Sequence, residues 1–397
     1  MFSGLEPTLG IFICSDYCIL PIEYQDRTIQ NQFISQHVTW LAPLLFNRDI
    51  MTFTFSKLSR ALFTVATLSS CATFAATAAQ TIPTITPKVL VVTMFGSEAQ
   101  PWLEHQQLTQ NYEIPGLSRE YPALHCNETG LCMVTTAMGY ANASATLTAL
   151  EFAPQVNLTN SYIIIAGIGG VDPDQGTLGS AHWARYAIDG GLTHRIDARQ
   201  MPKDWTTGTF ALGSTKPGEK PKWSAGTEVF HLNDALVDKA YALSKHVALL
   251  DSDAAEKDRQ QFTDSAKAQS KPFVSICDTI SNDTFWVGSK IAKAMDDYAA
   301  TLTDGKANVC TTQMEDNASL TALQRGADAG KLDFNRILVL RTASDFDQEA
   351  PGQTPIEALA ANGSGYEPAE VNAYRVANAV ASNILTRWDE WQNGTPQ

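Results

Sequence analysis

The feature that most constrains this chain is a series of short, nearly uninterrupted apolar runs that alternate with helical patterns. Such runs predict strands buried on both faces, because a strand with one wet face would alternate apolar and polar residues. A sheet of such strands needs helices on both sides. The sequence therefore predicts an α/β fold, a three-layer sandwich with a central mixed sheet. The apolar runs lie at 87–95, 131–139, 161–170, 182–189, 271–281, 307–314 and 336–345.

Residues suited to chemistry stand directly after several of these runs. Ligands of α/β sheets bind at the carboxyl ends of the strands, so we expect these residues to lie close together. An amphipathic pattern at 370–391 predicts one long C-terminal helix that packs on the sheet. The residues after the runs are Glu98, the glycine-rich turn at 167–170, Phe285, Met314 with Glu315, and Ser344 with Asp345.

The start of the chain has the pattern of an export signal. From Met51 a cationic segment with Lys57 and Arg60 precedes the apolar "ALFTVATL" and the small residues "ATAA". This order is typical of a signal peptide at 51–79, so we interpret 1–50 as an over-extended gene start. The exported domain is then 80–397, periplasmic or secreted. Cys71 in "LSSC" is the alternative processing site, which would make the protein a lipoprotein.

Charge and hydropathy exclude two classes of partner. The formal net charge of −14 disfavours a nucleic acid, which is itself a polyanion. No stretch is long and apolar enough to predict a transmembrane span.

Between 195 and 270 the strand and helix pattern loosens, and the segment is rich in Gly, Pro, Lys and Trp in its first half. We interpret 195–270 as an insertion that leaves the sheet, either a lid, an oligomer contact or a solvated excursion.

Four cysteines follow the signal segment, and an even number in an exported chain indicates disulfides. Cys126 and Cys132 flank a turn between two apolar runs, which predicts a stapled hairpin. Cys277 and Cys310 would then pair if their strands are neighbours. Four buried free thiols are the alternative. No cysteine or histidine spacing indicates a metal site.

Five motifs in one order resemble the nucleoside phosphorylase and nucleosidase superfamily, and more closely its exported branch, the purine nucleoside permease family. The resemblance spans most of 87–390, and 195–270 has no counterpart in the small nucleosidases. It implies a nucleoside phosphorylase-like fold with a large insertion, a homo-oligomer, and a purine nucleoside as the bound molecule without a cofactor. The motifs are "TTAMGYANAS", "IIIAGIGGVDPDQGTLGSAHWARYAID", "ISNDTFWVGS", "TTQMEDNAS" and "VLRTASDFD".

The resemblance assigns the sugar and base contacts. Glu315 would accept both ribose hydroxyls, and Met314 would pack on the apolar face of the sugar. Phe285 would stack on the base, with Trp286 as the alternative, although an aromatic residue here could also be plain core. The next residue after the pair, Asp316, is expected to be an ordinary helix-start residue. The glycines that would let the backbone approach the ligand are Gly167, Gly169 and Gly170.

The resemblance also assigns the leaving-group acid. Asp345, steadied by Ser344, would serve N7 of the leaving purine, which requires a protonated or shared carboxyl. Burial beside Glu315 or Glu98 would raise the pKa of Asp345 in the needed direction. A plain helix N-cap is the competing interpretation.

The nucleophile decides between hydrolysis and phosphorolysis. Glu98 matches the carboxylate with which nucleosidases orient and deprotonate water, and an acid there would repel phosphate. Arg341 is the single cation expected near the nucleophile, whereas Arg185 is expected to point elsewhere. The sequence therefore favours purine nucleoside hydrolysis that contributes to nucleoside uptake and salvage. Phosphorolysis with phosphate as co-substrate and non-catalytic nucleoside binding in transport are the alternatives.

Overall fold

The computed structural model describes residues 84–361 and 363–396, which fall within one compact unit, Thr77–Gln397. The predicted gene-start segment 1–50 and signal segment 51–79, with Cys71, lie outside the described residues. The strands are β1 (Val89–Thr93), β2 (Gln110–Glu113), β3 (Ala123–Cys126), β4 (Leu131–Thr135), β5 (Tyr162–Val171), β6 (Ala181–Trp183), β7 (Tyr186–Asp189), β8 (Thr193–Arg195), β9 (Thr209–Ala211), β10 (Val229–His231), β11 (Val274–Ile276), β12 (Asp278–Ser281), β13 (Val309–Gln313) and β14 (Ile337–Phe346). The helices are α1 (Gly96–His105), α2 (Tyr140–Glu151), α3 (Asp234–Ser244), α4 (Asp253–Arg259), α5 (Ser289–Thr303), α6 (Asp316–Asp328), α7 (Pro355–Ala361), α8 (Tyr366–Thr386) and α9 (Trp388–Trp391), with a 3-10 turn at Phe334–Arg336.

The central sheet is mixed, as the sequence predicts. Its strands run in the order β10-β7-β12-β13-β5-β1-β4-β3-β2, with β14 pairing with β5 and β6, and β11 with β6. The pairs of β1 with β4 and β5 are parallel, whereas β5 and β13 are antiparallel. The strands at its centre are completely buried because their apolar residues face helices on either side. The predicted α/β fold is confirmed.

Two long strands, β5 and β14, bring the strand ends together. They are parallel neighbours over almost their whole length, and an irregularity between Ala343 and Asp345 places Asp345 beside Gly170. Near its carboxyl end β5 also pairs with β13, Gly170 opposite Thr312. The end of β13 and the loop after it therefore lie beside the ends of β5 and β14.

Two groups of helices pack together, α1 and α3 against α8, and α2 against α6. Helix α8 contacts β5 and β14, and its buried residues include small and β-branched ones such as Ala373, Val376 and Val380, which permit close packing. None of the described helices is both long and apolar enough to cross a membrane.

Both predicted disulfides are present. Cys126 and Cys132 are directly opposite in the antiparallel pair of β3 and β4, so this bond staples a hairpin. Cys310 lies in β13 and Cys277 immediately before β12, and these strands are parallel neighbours. The neighbouring strands therefore satisfy the condition on which the second pairing depended.

Three segments differ from the sequence pattern. The run at 182–189 forms two strands instead of one. The first, β6, pairs with β14 and β11, whereas the second, β7, pairs with β10 and β12. The C-terminal pattern is divided into α8 and α9 at Arg387, whose backbone is not helical. Within 195–270, β10 is the edge strand of the central sheet, and α3 buries Leu236 and Val237 in the main core. The part that stands apart from the sheet is thus shorter than the predicted insertion.

Candidate functional site

A cavity of about 380 Å³ lies at the carboxyl ends of the central strands. Its volume is in the range of small-molecule sites. All of the sequence-predicted ribose, base, acid and arginine residues line it, as do Gly169 and Gly170, whereas Gly167 does not. The lining consists of Phe95, Glu98, Met138, Ile168, Gly169, Gly170, Asn282, Thr284, Phe285, Trp286, Thr312, Gln313, Met314, Glu315, Arg341, Ser344, Asp345 and Tyr366.

A buried ion cluster forms one wall of the cavity. Arg341 Nη2 donates to Asp316 Oδ1 at 2.6 Å and to Glu315 Oε2 at 3.2 Å, and Nε donates to both Asp316 oxygens at 3.2 Å. Nη1 donates to the carbonyl oxygen of Ile168 at 2.9 Å. Burial disfavours the charged guanidinium, but Asp316 and Glu315 outweigh it and raise the pKa of Arg341. Each nitrogen of this guanidinium therefore already has an acceptor from the protein.

Asp316 is more than the helix-start residue that the sequence predicts. It does begin α6, but its side chain is fully buried and is the closest ionic partner of Arg341. The sequence could not show this pairing, because Arg341 lies in β14, 25 residues after Asp316. Arg185, as expected, points elsewhere and pairs with Asp234 and Asp238.

The carboxylate of Glu315 is held at both oxygens. Oε1 accepts a hydrogen bond from the Gly139 amide at 3.0 Å, and Oε2 accepts from Arg341. A carboxylate has about four lone-pair directions, so two acceptor positions remain for a ligand. Met314, the residue before it, is half-buried and also lines the cavity.

Glu98 lies in the first turn of α1, deeply buried. Its two oxygens accept hydrogen bonds from the backbone amides of Met94 at 2.6 Å and Ile168 at 2.8 Å. Burial raises the pKa of Glu98 to about 8, against the opposing effect of Arg341 and of the two amides. Most Glu98 side chains are therefore protonated at pH 7. The expected repulsion of phosphate by a charged Glu98 is consequently weak at that pH.

Gly167 has a structural reason to be glycine that differs from the predicted one. A Cβ atom there would collide with the Met94 side chain and with Glu98 Oε1, and it would crowd Arg341. At Gly169 a Cβ atom would meet the Thr312 carbonyl oxygen. In both places a neighbouring protein group already occupies the space. Packing within the protein therefore requires these glycines whether or not a ligand approaches.

Asp345 is buried near the end of β14 and accepts a hydrogen bond from the Ser344 hydroxyl at 2.7 Å. Burial raises its pKa to about 6, and the bond from Ser344 opposes this. The direction agrees with the sequence expectation, but its cause is burial alone and neither Glu315 nor Glu98. An ordinary helix N-cap is the wrong interpretation, because Asp345 lies within a strand.

Exposed apolar side chains surround the mouth of the cavity. Phe285 is 47% exposed, so it is not a core residue, whereas Trp286 is half-buried and packs on the cluster of Ile188 and Ile280. Met138 and Tyr366 were not predicted and are 55% and 40% exposed. Met138 follows the end of β4, so the expectation that ligands bind at the carboxyl ends of the strands could have identified it. Tyr366 begins α8 and carried no such signal.

Metal ligation has little support in the described part of the chain. There, the one close group of potential ligands is His182 with Cys277 and Cys310. Those two sulfurs are bonded to each other, and disulfide sulfur is not a thiolate ligand.

Comparison with known proteins adds family relationships. The family described as Purine nucleoside permease (NUP) matches residues 86–396. A probable purine nucleoside permease of Schizosaccharomyces pombe is 33% identical over 318 residues, which cover 77% of this chain and 91% of that protein. A purine nucleoside permease of Candida albicans is 31% identical over 309 residues, covering 77% and 76%. Among solved structures, a 5′-methylthioadenosine/S-adenosylhomocysteine nucleosidase from Neisseria meningitidis aligns with 75% of this chain and 99% of its own, at 14% identity and a TM-score of 0.44. A similarity that weak carries no conclusion about chemistry.

Proposed function

This chain belongs to the purine nucleoside permease family, and we propose that it binds a purine nucleoside in the cavity at the carboxyl ends of its strands. The observation that carries the proposal is that Glu315, Met314, Phe285 and Asp345 all line one cavity of about 380 Å³. These residues come from three separate segments, and each supplies a different type of contact. The two relatives are named as purine nucleoside permeases, which supports the same class of ligand.

Glu315 is proposed to bind the ribose. Gly139 and Arg341 occupy two acceptor positions of its carboxylate, and the two that remain match the two hydroxyls of a vicinal diol. Hydrogen bonds to a carboxylate are about twice as strong as neutral ones. Met314 would pack on the sugar and Phe285, which is exposed at the cavity mouth, would cover the base.

Asp345 is proposed to bind the purine ring as an acid. With a pKa raised to about 6 by burial, it carries a proton often enough near neutral pH to donate to a ring nitrogen. A leaving purine gathers negative charge, and such a donor would stabilise it. Ser344 fixes the orientation of the carboxyl through its hydrogen bond.

We propose hydrolysis of the N-glycosidic bond as the reaction. Among the described residues that line the cavity, Arg341 is the only cation, and its nitrogens already donate to Asp316, Glu315 and Ile168. A bound phosphate dianion would therefore find little free positive charge. Water is the simpler nucleophile, and Glu98 would orient it and accept its proton in the fraction of molecules in which Glu98 is ionised.

Nucleoside binding without cleavage is the second candidate, and one observation favours it. Burial keeps Glu98 mostly protonated at pH 7, and a protonated carboxyl is a poor general base. In this version the protein would hold a nucleoside for transport, as the family name suggests. The two disulfides support a site of action in an oxidising compartment outside the cytoplasm.

Product analysis separates these functions. The protein is incubated with adenosine, inosine or guanosine, with and without phosphate, and free base and sugar are followed. Free ribose in phosphate-free buffer supports hydrolysis. Ribose 1-phosphate formed only with phosphate would overturn the argument from Arg341. Tight binding without release of base would leave the binding function alone.

A further inference from the structure

Gln313, the last residue of β13, is buried and uses its whole side-chain amide. Oε1 accepts hydrogen bonds from the backbone amides of Glu315 and Asp316, both at 2.8 Å. Nε2 donates to the hydroxyls of Ser281 at 2.7 Å and Thr279 at 3.1 Å. A primary amide offers two donors and one acceptor oxygen, so this group is fully satisfied.

These bonds perform a task that the helix N-cap residue usually performs. The first amides of a helix lack partners within the helix, and a short polar side chain at the N-cap normally accepts from them. Glu315 is the N-cap of α6, yet its side chain makes no capping bond. Gln313 accepts from Asp316 N instead, and Ser281 Oγ accepts from Asn317 N at 3.1 Å. The carboxylate of Glu315 is thereby left available to the cavity.

The same network extends beyond the strand ends. Ser281 Oγ donates to Asn317 Oδ1 at 2.9 Å, and Asn317 Nδ2 donates to the carbonyl oxygen of Thr227 at 2.9 Å. Thr227 lies within 195–270, just before β10. The backbone around Glu315 is thus fixed by its own strand, β13, and through Asn317 by the residues that precede β10.

We propose that Gln313 is a positioning residue that sets the ribose specificity of the site. The proposal rests on the proposed function of Glu315 as the ribose carboxylate. Gln313 fixes the backbone of Glu315, so that its carboxylate stands between Gly139 and Arg341 with two acceptor positions turned to the ligand. Without the amide the carboxylate still has Gly139 and Arg341 as partners, but the backbone that carries it is no longer held by β13, so its two remaining acceptor positions shift relative to the ligand.

Gln313→Met tests this, because methionine has a similar length and no amide. Dissociation constants for adenosine and for 2′,3′-dideoxyadenosine are measured by quenching of tryptophan fluorescence, since Trp286 lines the cavity. We expect adenosine to bind about tenfold more weakly to the variant, and the dideoxy analogue to change less than about twofold. The analogue lacks both hydroxyls, so it does not sense the direction of Glu315.

Two further variants keep the result interpretable. Thr311→Val changes a residue of β13 that is equally buried and outside the network, and it should leave the ratio of the two constants unchanged. Ser281→Ala removes the hydroxyl that holds both Gln313 and Asn317, and it should shift the ratio in the same direction as Gln313→Met. This variant tests the proposal if Gln313→Met fails to fold.

Two outcomes would overturn the inference, and they differ. If Gln313→Met left the ratio of the two dissociation constants unchanged, whether or not both ligands bound more weakly, Gln313 would have only a structural role. The proposed ribose role of Glu315 would be unaffected by that result. If the wild-type protein itself bound both ligands equally, the ribose role of Glu315 would fail, and the inference would fail with it.

Discussion

Asp316→Asn tests whether Asp316 keeps the positive charge of Arg341 from the ligand. In the wild-type protein Asp316 is fully buried, and its oxygens lie 2.6 and 3.2 Å from nitrogens of Arg341. Glu315, at 3.2 Å, is the second carboxylate. Asparagine has almost the same size but no charge, so the substitution removes the closer of two ionic partners without opening a cavity.

The expected loss of stability follows from this geometry. Removal of one partner from a buried ion pair costs about 3–5 kcal/mol. Because Glu315 stays in contact with Arg341, we expect the lower end, about 3 kcal/mol. For a domain of this size, with an unfolding entropy of about 2.1 cal/mol/K per residue, that corresponds to a fall in Tm of roughly 5 °C.

The distinctive result is a gain of anion binding. Thermal unfolding is followed in sodium phosphate and in sodium chloride of equal ionic strength at pH 7, where Glu98 is mostly neutral. If the released guanidinium binds phosphate with a Kd of about 1 mM, 100 mM phosphate would restore about 2.7 kcal/mol. Asp278→Asn is the control, because Asp278 is buried to a similar extent but bonds to amides of Arg185, Tyr186 and Asn308.

The reasoning would be refuted by either of two results. Stabilisation of the wild-type protein by phosphate to the same extent as the variant would mean that Arg341 is available to an anion after all. Alternatively, Asp316→Asn could leave stability unchanged within about 0.5 kcal/mol, which is typical of a surface substitution. In the first case phosphorolysis would become the better proposal.

Three further predictions concern the two acids of the cavity. Asp345→Asn should lower turnover strongly but keep nucleoside affinity within about tenfold, because its proton matters mainly to the leaving base; stopped-flow and equilibrium binding measure the two separately. If hydrolysis needs Asp345 protonated and Glu98 ionised, their pKa values of about 6 and about 8 predict a rate that rises to pH 6, stays level, and falls above pH 8. On that plateau only about 1% of molecules hold both required charge states, and a rate that kept climbing above pH 9 would contradict the assignment. Stability should fall between pH 6 and 9, because the folded state holds the Glu98 proton that the unfolded chain releases. Glu98→Gln should remove on the order of 2 kcal/mol of that fall, as measured by denaturant unfolding at several pH values, and an unchanged pH dependence would argue against the raised pKa.

The fold was predictable because burial on both faces leaves a direct mark on sequence. The run at 161–170 is apolar almost without interruption, and it becomes β5 at the centre of the sheet. The grouping of Glu98, Glu315 and Asp345 was predictable for a similar reason, since each follows or ends a buried strand. Position at the carboxyl end of a strand therefore predicts which residues lie near the cavity.

The interactions within the cavity were not predictable in the same way. Asp316 and Arg341 are 25 residues apart, and only the tertiary structure shows that they pair. The raised pKa of Glu98 depends on its burial in the tertiary structure, which no local pattern reveals. The edge strand β10 was missed because three residues are too few to give a periodic signal. The predicted homo-oligomer, the signal segment and the roles of individual residues stay predictions.

The most direct test of the account is the equilibrium binding of a purine ribonucleoside to the wild-type protein and to Glu315→Gln, by calorimetry at pH 7 in phosphate-free buffer. Arg341 keeps Asp316 in the variant, so the ion cluster survives the change. We predict that the wild-type protein binds and that the variant binds about a hundredfold more weakly, a difference of about 2.7 kcal/mol that equals one or two charge-assisted hydrogen bonds. No binding to the wild-type protein, or equal affinity for both proteins, would contradict the assignment of this cavity as a nucleoside site.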